Sequence, residues 1–288
     1  MKRIQQLVPD IQEVLKNDGW FTTDTSRDLA IRLEKAVGNS AVKSTPRLRL
    51  SQMGPRCPKA LWHSIHTPEL AELLPPSVRF KYQYGHIIEE LALTLAKAAG
   101  HSVVGEQDEL ELDGVKGHRD AVVDGCVLDV KSSSTYGFKK FEDGSIGLPG
   151  NDAFGYLDQL DGYLCASLSD PLVTVKDRAY LLVIDKQLGH MCLYEHNFRE
   201  QHIRERVREY KSICGLSSPP RCTCGTVPEG KSGNIRLDVK ASYNVYKHCC
   251  FPNLRTFIYA NGPVYLTKVV RKPDVLEVDR HGKPVSQM

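Results

Sequence analysis

Apolar positions along the chain follow two periods. Residues 11–15 and 28–37 carry helical spacing, the second closed by Gly38-Asn39, and a third helix begins near Pro58. Pro68 and Pro75-Pro76 bound the segment after it, and residues 84–99 then read as a strong helix ending at Gly100. The period now falls to two. Residues 102–112 alternate roughly as a strand, Gly114 turns the chain into 118–123, and Asp124-Gly125 suits a two-residue hairpin turn before a strand over 126–131. The Gly- and Asp-rich segment 142–152 reads as a surface loop and 153–168 as a second strong helix. Strands at 178–185 and 190–196, joined by Gln187-Leu188-Gly189, precede a charged amphipathic helix over 197–213. Beyond Cys214, Pro219-Pro220 and 228–233 read as an irregular connection. A last folded patch spans about 243–270, and the tail after Arg271 reads as extended and loosely held.

A chain of 288 residues can bury a full core. With 41% hydrophobic and 25% charged residues it has the composition of a soluble globular protein. No apolar run approaches a membrane span, and the start Met1-Lys2-Arg3-Ile4-Gln5-Gln6 lacks the apolar core of a secretory signal, so a cytoplasmic protein is expected. A net charge of +3 neither requires nor excludes a nucleic-acid partner. Nine cysteines, an odd count, argue against a disulfide framework in that compartment, and Cys222, Cys224, Cys249 and Cys250 fall late enough to raise the question of a metal.

Chemistry concentrates at the hairpin. Asp120 ends one strand, and Asp129-Val130-Lys131 lies on the next. Residues i and i+2 of a strand share a side, so Lys131 points the way Asp129 does, while Leu128 and Val130 face a buried layer. Two carboxylates converging on a divalent cation, with a lysine alongside, are what phosphodiester hydrolysis requires. The structural alternative makes both acids solvated sheet-edge residues and Lys131 their salt-bridge partner. Asp238-Val239-Lys240 repeats the tripeptide without an acid on a partner strand and reads as a surface pair.

Two helices enlarge this constellation. Gln159 and Tyr163 share a helical face, as do Gly85 and Glu89. In order, Gly85 to Glu89, Gly117 to Asp120, Asp129 to Lys131 and Gln159 to Tyr163 resemble the four motifs of the PD-(D/E)XK nuclease superfamily in its RecB-like branch. The resemblance covers residues 55–215 and extends weakly to 270. It implies an α/β, restriction-endonuclease-like core with a central mixed β-sheet flanked by helices (55–215). A helical amino-terminal region (1–54) and a small cysteine-containing carboxy-terminal patch and tail (216–288) complete the expected organisation. It also implies an Mg²⁺- or Mn²⁺-dependent deoxyribonuclease acting as an exonuclease. Glu89, Asp120, Asp129 and the Val130 carbonyl would be the hard oxygen ligands. Lys131 would position a water or offset charge on the phosphate, taking a proton only if its pKa were depressed. Gln159 and Tyr163 would hold phosphate or water; their structural alternative is a helix face packed on the sheet.

The expected partner is DNA, with His118, Lys139 and Lys140 as contacts. The alternatives are that His118, on the strand face of Asp120, ligates the metal or is simply hydrogen-bonded on the sheet, and that Lys139 and Lys140 are a solvated surface pair. Arg204, Arg206 and Arg208 read as an exposed helix face. The segment 230–270 is similar to phage-encoded members, which implies host cytoplasm, a role in recombination, repair or degradation of DNA, and a recombination partner protein. The other readings are a non-catalytic DNA-binding or assembly subunit and an endonuclease with the same site.

Relatives of the CRISPR-associated exonuclease type bind an iron–sulfur cluster through one early cysteine and a late Cys-x₂-Cys-x₅-Cys. Cys57 matches the first, but Ala241 and Asn244 stand at two of the late positions and only Cys250 remains, so the cluster is not expected. A substitute zinc site from Cys57, Cys222, Cys224 and either Cys249 or Cys250 is one reading, against which the tight Cys-x-Cys spacing counts. The other is reduced thiols in a patch held by Tyr243, Tyr246, Phe251 and Phe257.

Overall fold

The structure is a computed structural model, and residues 2–17, 22–38 and 46–285 are described. Asn39, read above as part of a helix stop, lies outside them. The chain forms two compact units, one of Met1–Ser44, Arg49–Gly54 and Pro76–Val207, the other of Thr45–Leu48, Pro55–Pro75 and Arg208–Met288.

The first unit is an α/β layer structure built on a mixed five-stranded sheet. Its strands are β1 (Val103–Val104), β4 (Ala121–Val123), β5 (Cys126–Ser133), β6 (Arg178–Asp185) and β7 (Met191–Asn197), in that spatial order. A separate ribbon pairs β2 (Glu109–Leu112) with β3 (Val115–His118). Only β5 and β6 run parallel. The long connection between them carries α5 (Thr135–Glu142) and α6 (Tyr156–Ala166), as a parallel pair requires. On one face, Leu128, Val130, Ala121, Val123 and Leu182 form a core with α1 (Leu7–Lys16) and α4 (Pro76–Ala98). This is the expected mixed sheet flanked by helices, with β5 enclosed between two neighbours.

Several elements differ from the sequence reading for local reasons. The helix expected at 84 begins at Pro76, because proline fits the first turn of a helix as well as it breaks an interior. The strand expected over 102–112 splits where Gly105 and Gln107 take positive φ values of 60° and 55°. The strand expected over 118–123 breaks at Arg119-Asp120, where the chain leaves the ribbon for the main sheet. Residues after Ser132-Ser133-Ser134 form α5, capped by the Ser134 hydroxyl, which accepts from Gly137 N at 3.3 Å. The turn at Asp124 and Gly125 has φ values of 50° and 81°, as a two-residue hairpin turn demands, and any side chain at Gly125 would run into Thr174.

In the second unit an antiparallel sheet runs in the order β12 (Leu276–Val278), β10 (Arg255–Tyr259), β11 (Gly262–Lys268), β9 (Asn234–Leu237), β8 (Thr226–Glu229). Residues 228–233 are therefore a strand and hairpin turn, not an irregular connection. Pro228 is tolerated because β8 is an edge. The tail beyond Arg271 is held in part, since β12 pairs with β10. Asp238 caps the short helix α8 (Val239–Ser242), accepting from Ala241 N at 2.6 Å, so the second Asp-x-Lys is a helix start. Tyr243 is 63% exposed, whereas Phe257 and Leu266 are fully buried. Among the described residues no helix is long and apolar enough to cross a membrane.

Candidate active site

β5 sets the geometry. Alternation sends Leu128 and Val130 into the core under α4 and leaves Asp129 and Lys131 on the opposite face. Ala121 pairs with Leu128, so Asp120, one residue earlier, stands across from Asp129. Both acids are buried, Asp129 at 1% exposure. Asp120 Oδ2 accepts from Val130 N at 2.7 Å. Asp129 Oδ1 accepts from Gln159 Nε2 at 3.3 Å, and Gln159 Nε2 also donates to Tyr163 Oη at 2.8 Å. Asp129 Oδ2 meets the Lys131 ammonium as an ion pair but accepts no well-directed hydrogen bond. The Lys131 Nζ lies 5.9 Å from the centre of the Tyr156 ring.

Glu89, on α4, accepts from Gln107 Nε2 at 2.6 Å, and Gln107 N in turn donates to the Asp120 carbonyl at 3.2 Å. His86 Nδ1 stands 3.9 Å from Glu89, one helical turn away. Glu90 turns elsewhere, to Arg32 at 3.3 Å. Gly85 opens space beside β5, where a Cβ would find only Ser132 Oγ, at 3.9 Å. Gly117 serves packing instead: a Cβ there would lie 2.7 Å from the Cβ of fully buried Leu50.

The carboxylates repel one another in a site with little water. Burial, then the charges of Asp129 and Glu89, raises the Asp120 carboxyl well above its ordinary range. Burial raises Asp129 as well, against the pull of Lys131. For Lys131, burial alone would favour the neutral amine, but Asp129 and Asp120 outweigh it and hold the ammonium protonated. The proton-accepting role left open for Lys131 therefore has no support in this state. Tyr163 is likewise held as a neutral phenol by burial and by the nearby acids.

Sequence reasoning missed three supports. Arg119, 1% exposed, donates to Gly105 O at 3.1 Å and Asp108 Oδ2 at 2.8 Å and pairs with Asp170 at 2.6 Å, which fixes the chain beside Asp120. Gln107 is hidden by its place in a loop. Asp161 and Asp158, read as plain helix positions, bind His196 at 2.9 Å and Arg199 at 2.8 Å and clamp α6. Arg206 joins this network at 3.5 Å from Asp158, so it is not part of an exposed face; Arg208 is exposed. His118 and Lys139 are exposed. Lys140 lies on α5, donates to Asn151 O at 3.3 Å and sits 5.2 Å from the centre of the Tyr136 ring.

A second group of ligating side chains lies in the other unit. Cys57, Cys222, Cys224 and Cys250 bring their sulfurs within 4.8 Å of one another, the one such set of three or more metal-ligating residues among those described. Cys249 is not in it, which decides between the two adjacent cysteines. The three carboxylates of the first unit are not gathered so tightly, since each is turned to a partner of its own. At the two positions where the late cysteine motif is missing, Ala241 is buried, and Asn244 Nδ2 donates to Cys224 Sγ at 3.5 Å and Cys250 Sγ at 3.7 Å.

No protein-family model and no curated protein matches the chain. Among solved structures it is similar to SSO0001, at 17% identity and a TM-score of 0.41 over 80% of this chain and 97% of that one. It is also similar to an alkaline exonuclease, LHK-Exo, from Laribacter hongkongensis, at 14% identity and a TM-score of 0.39 over 65% and 90%. The same enzyme in complex with dAMP matches at 12% identity and a TM-score of 0.36 over 59% and 90%. These likenesses are loose.

Proposed function

We propose that the chain is an Mg²⁺- or Mn²⁺-dependent deoxyribonuclease of the PD-(D/E)XK superfamily, RecB-like branch, that degrades DNA from its ends. The observation that carries this reading is Asp129, a buried carboxylate with a second buried acid across the hairpin, an ammonium beside it and one oxygen without a directed hydrogen bond. Three neighbouring acids meet one lysine, and burial with mutual repulsion raises Asp120 and Asp129; a hard cation would relieve that repulsion, so the residues fit such an ion. Glu89, Asp120, Asp129 and the Val130 carbonyl would hold it. When bound, it would supply Lewis-acid polarisation of the phosphate and an acidified water.

The rest is done by the chain. Lys131, kept as an ammonium, donates to a phosphate oxygen and offsets the charge that grows on it during attack. Gln159 orients Asp129 and, with the Tyr163 hydroxyl, presents donors to the phosphate or the attacking water. Exposed His118 and Lys139, with Lys140 beside Tyr136, contact the DNA backbone. A phage origin, host cytoplasm, a recombination partner and a task in recombination, repair or degradation of DNA complete the reading.

The test is digestion of an end-labelled linear duplex, a single strand and a closed circle with Mg²⁺ or Mn²⁺. Linear DNA shortened from its ends beside an intact circle is expected. A cut circle would make the protein an endonuclease, and binding without cleavage of any form would make it a non-catalytic subunit.

A further inference from the structure

We propose that Cys57, Cys222, Cys224 and Cys250 bind a single zinc ion as a closed tetrahedral four-thiolate centre that holds the second unit together, and not an iron–sulfur cluster. The sulfur positions separate these cases. Cys57 Sγ lies 3.7 Å from Cys222 Sγ and 3.8 Å from Cys250 Sγ, Cys224 Sγ lies 3.8 Å from Cys250 Sγ, and the whole set falls within 4.8 Å. A zinc–sulfur bond of about 2.3 Å gives a tetrahedron with sulfurs about 3.8 Å apart. A four-iron cluster interposes its own iron–sulfide core and holds its cysteine sulfurs roughly 6 Å apart, and a two-iron cluster parts its two cysteine pairs comparably. The observed quartet has room for one small ion.

Touching thiols alone would also give short sulfur contacts, but the donors around these four suit thiolates. Thr223 N points at Cys57 Sγ (3.5 Å), Cys224 N at Cys222 Sγ (3.3 Å), and the Asn244 amide at Cys224 and Cys250 (3.5 and 3.7 Å). Such N–H donors orient and stabilise metal-bound sulfur. Asn244, at a position that a cysteine would fill in the cluster motif, thus supports the ligands without being one. The tight Cys222-Thr223-Cys224 spacing is no obstacle, because residues 221–225 form an irregular segment and alternate residues of an extended backbone share a side. Asp238 N anchors that segment by donating to Gly225 O at 3.1 Å. Four soft protein ligands with no open position make a structural site, and tetrahedral sulfur around a single ion suits zinc. The ion would tie Cys57 to partners 165 and 193 residues away.

The test is elemental analysis of the full chain purified anaerobically, with zinc release followed during titration of thiols by an organic mercurial. About one zinc per chain, released as four thiols react, with neither iron nor acid-labile sulfide, is expected. Cys222→Ser and Cys250→Ser should lose the zinc and Cys249→Ser should keep it. Should the serine variants fail to fold, cobalt substitution of the wild-type chain should give thiolate-to-cobalt charge transfer and tetrahedral ligand-field bands, retained in Cys249→Ser. Iron in any form at these cysteines would overturn the proposal. So would a protein that carries no zinc, gives no cobalt–thiolate bands and melts at the same temperature with and without added zinc.

Discussion

The carboxylate site takes Asp120, Asp129 and Lys131 from one β-hairpin of the first unit, whereas the cysteine quartet of the second joins Cys57 to sulfurs 165 and 193 residues along the chain. The first has hard oxygen donors, each already turned to a protein partner. The second has soft donors packed on one another with N–H groups behind them. A cation at the first would compete with Lys131 and Gln107 and exchange readily, as a working site must. A cation at the second would meet a closed shell and stay. On the proposed function, donor softness and packing divide the two units into a site for chemistry and a site for stability.

The sharpest way to break this division is by substitution on each side. Lys131→Ala should lower DNA cleavage by about 10³-fold or more, roughly 4 kcal/mol of transition-state stabilisation, with the melting temperature of the manganese-loaded protein little changed because the ion then balances Asp129. Activity assays paired with thermal melts check both halves. Cys250→Ser should do the reverse, lowering thermal stability by about 3 kcal/mol or more through loss of the metal, while Cys249→Ser stays within about 0.5 kcal/mol of wild type. Equal losses in the two cysteine variants would remove the distinction.

A finer test uses the repulsion among the acids. The folded-state pKa of Asp120 is raised by burial and by Asp129 and Glu89, so the folded state binds this proton more tightly than the unfolded chain does. This group's contribution to metal-free stability is accordingly fully present below the ordinary carboxylate pKa and is lost as pH rises through the folded pKa. Asp120→Asn, which keeps an acceptor for Val130 N–H, should stabilise the metal-free protein by about 1–2 kcal/mol at neutral pH and abolish manganese binding. Denaturant melts across pH, with and without manganese, measure both effects. The smallest effect expected is on affinity. Protons compete for Asp120 and Asp129, so manganese affinity should weaken on acidification at pH values above the ordinary carboxylate range, as calorimetry at several pH values would show.

What could be read in advance follows the range of the forces involved. The hairpin at Asp124-Gly125, the pair β6 and β7 and the helix through Glu89 are written in local periodicity and turn chemistry. The break at Arg119-Asp120 is not, because it depends on a buried arginine meeting Asp108 and Asp170 from other segments. α5 was missed although Ser134 is a good cap, since its apolar stripe is only Phe138 and Phe141. In the second unit Pro228 conceals an edge strand, and Tyr243, for all its size, is mostly exposed. Among the cysteines, spacing could name the candidates; only folding selects Cys250 over Cys249.

The most direct measurement is cleavage of an end-labelled linear duplex by equal amounts of folded wild-type, Asp129→Asn and Lys131→Ala protein in manganese. Steady shortening of the duplex by the wild type and none by either variant is predicted; digestion by either variant at the wild-type rate would contradict the assignment of this hairpin as the cutting centre.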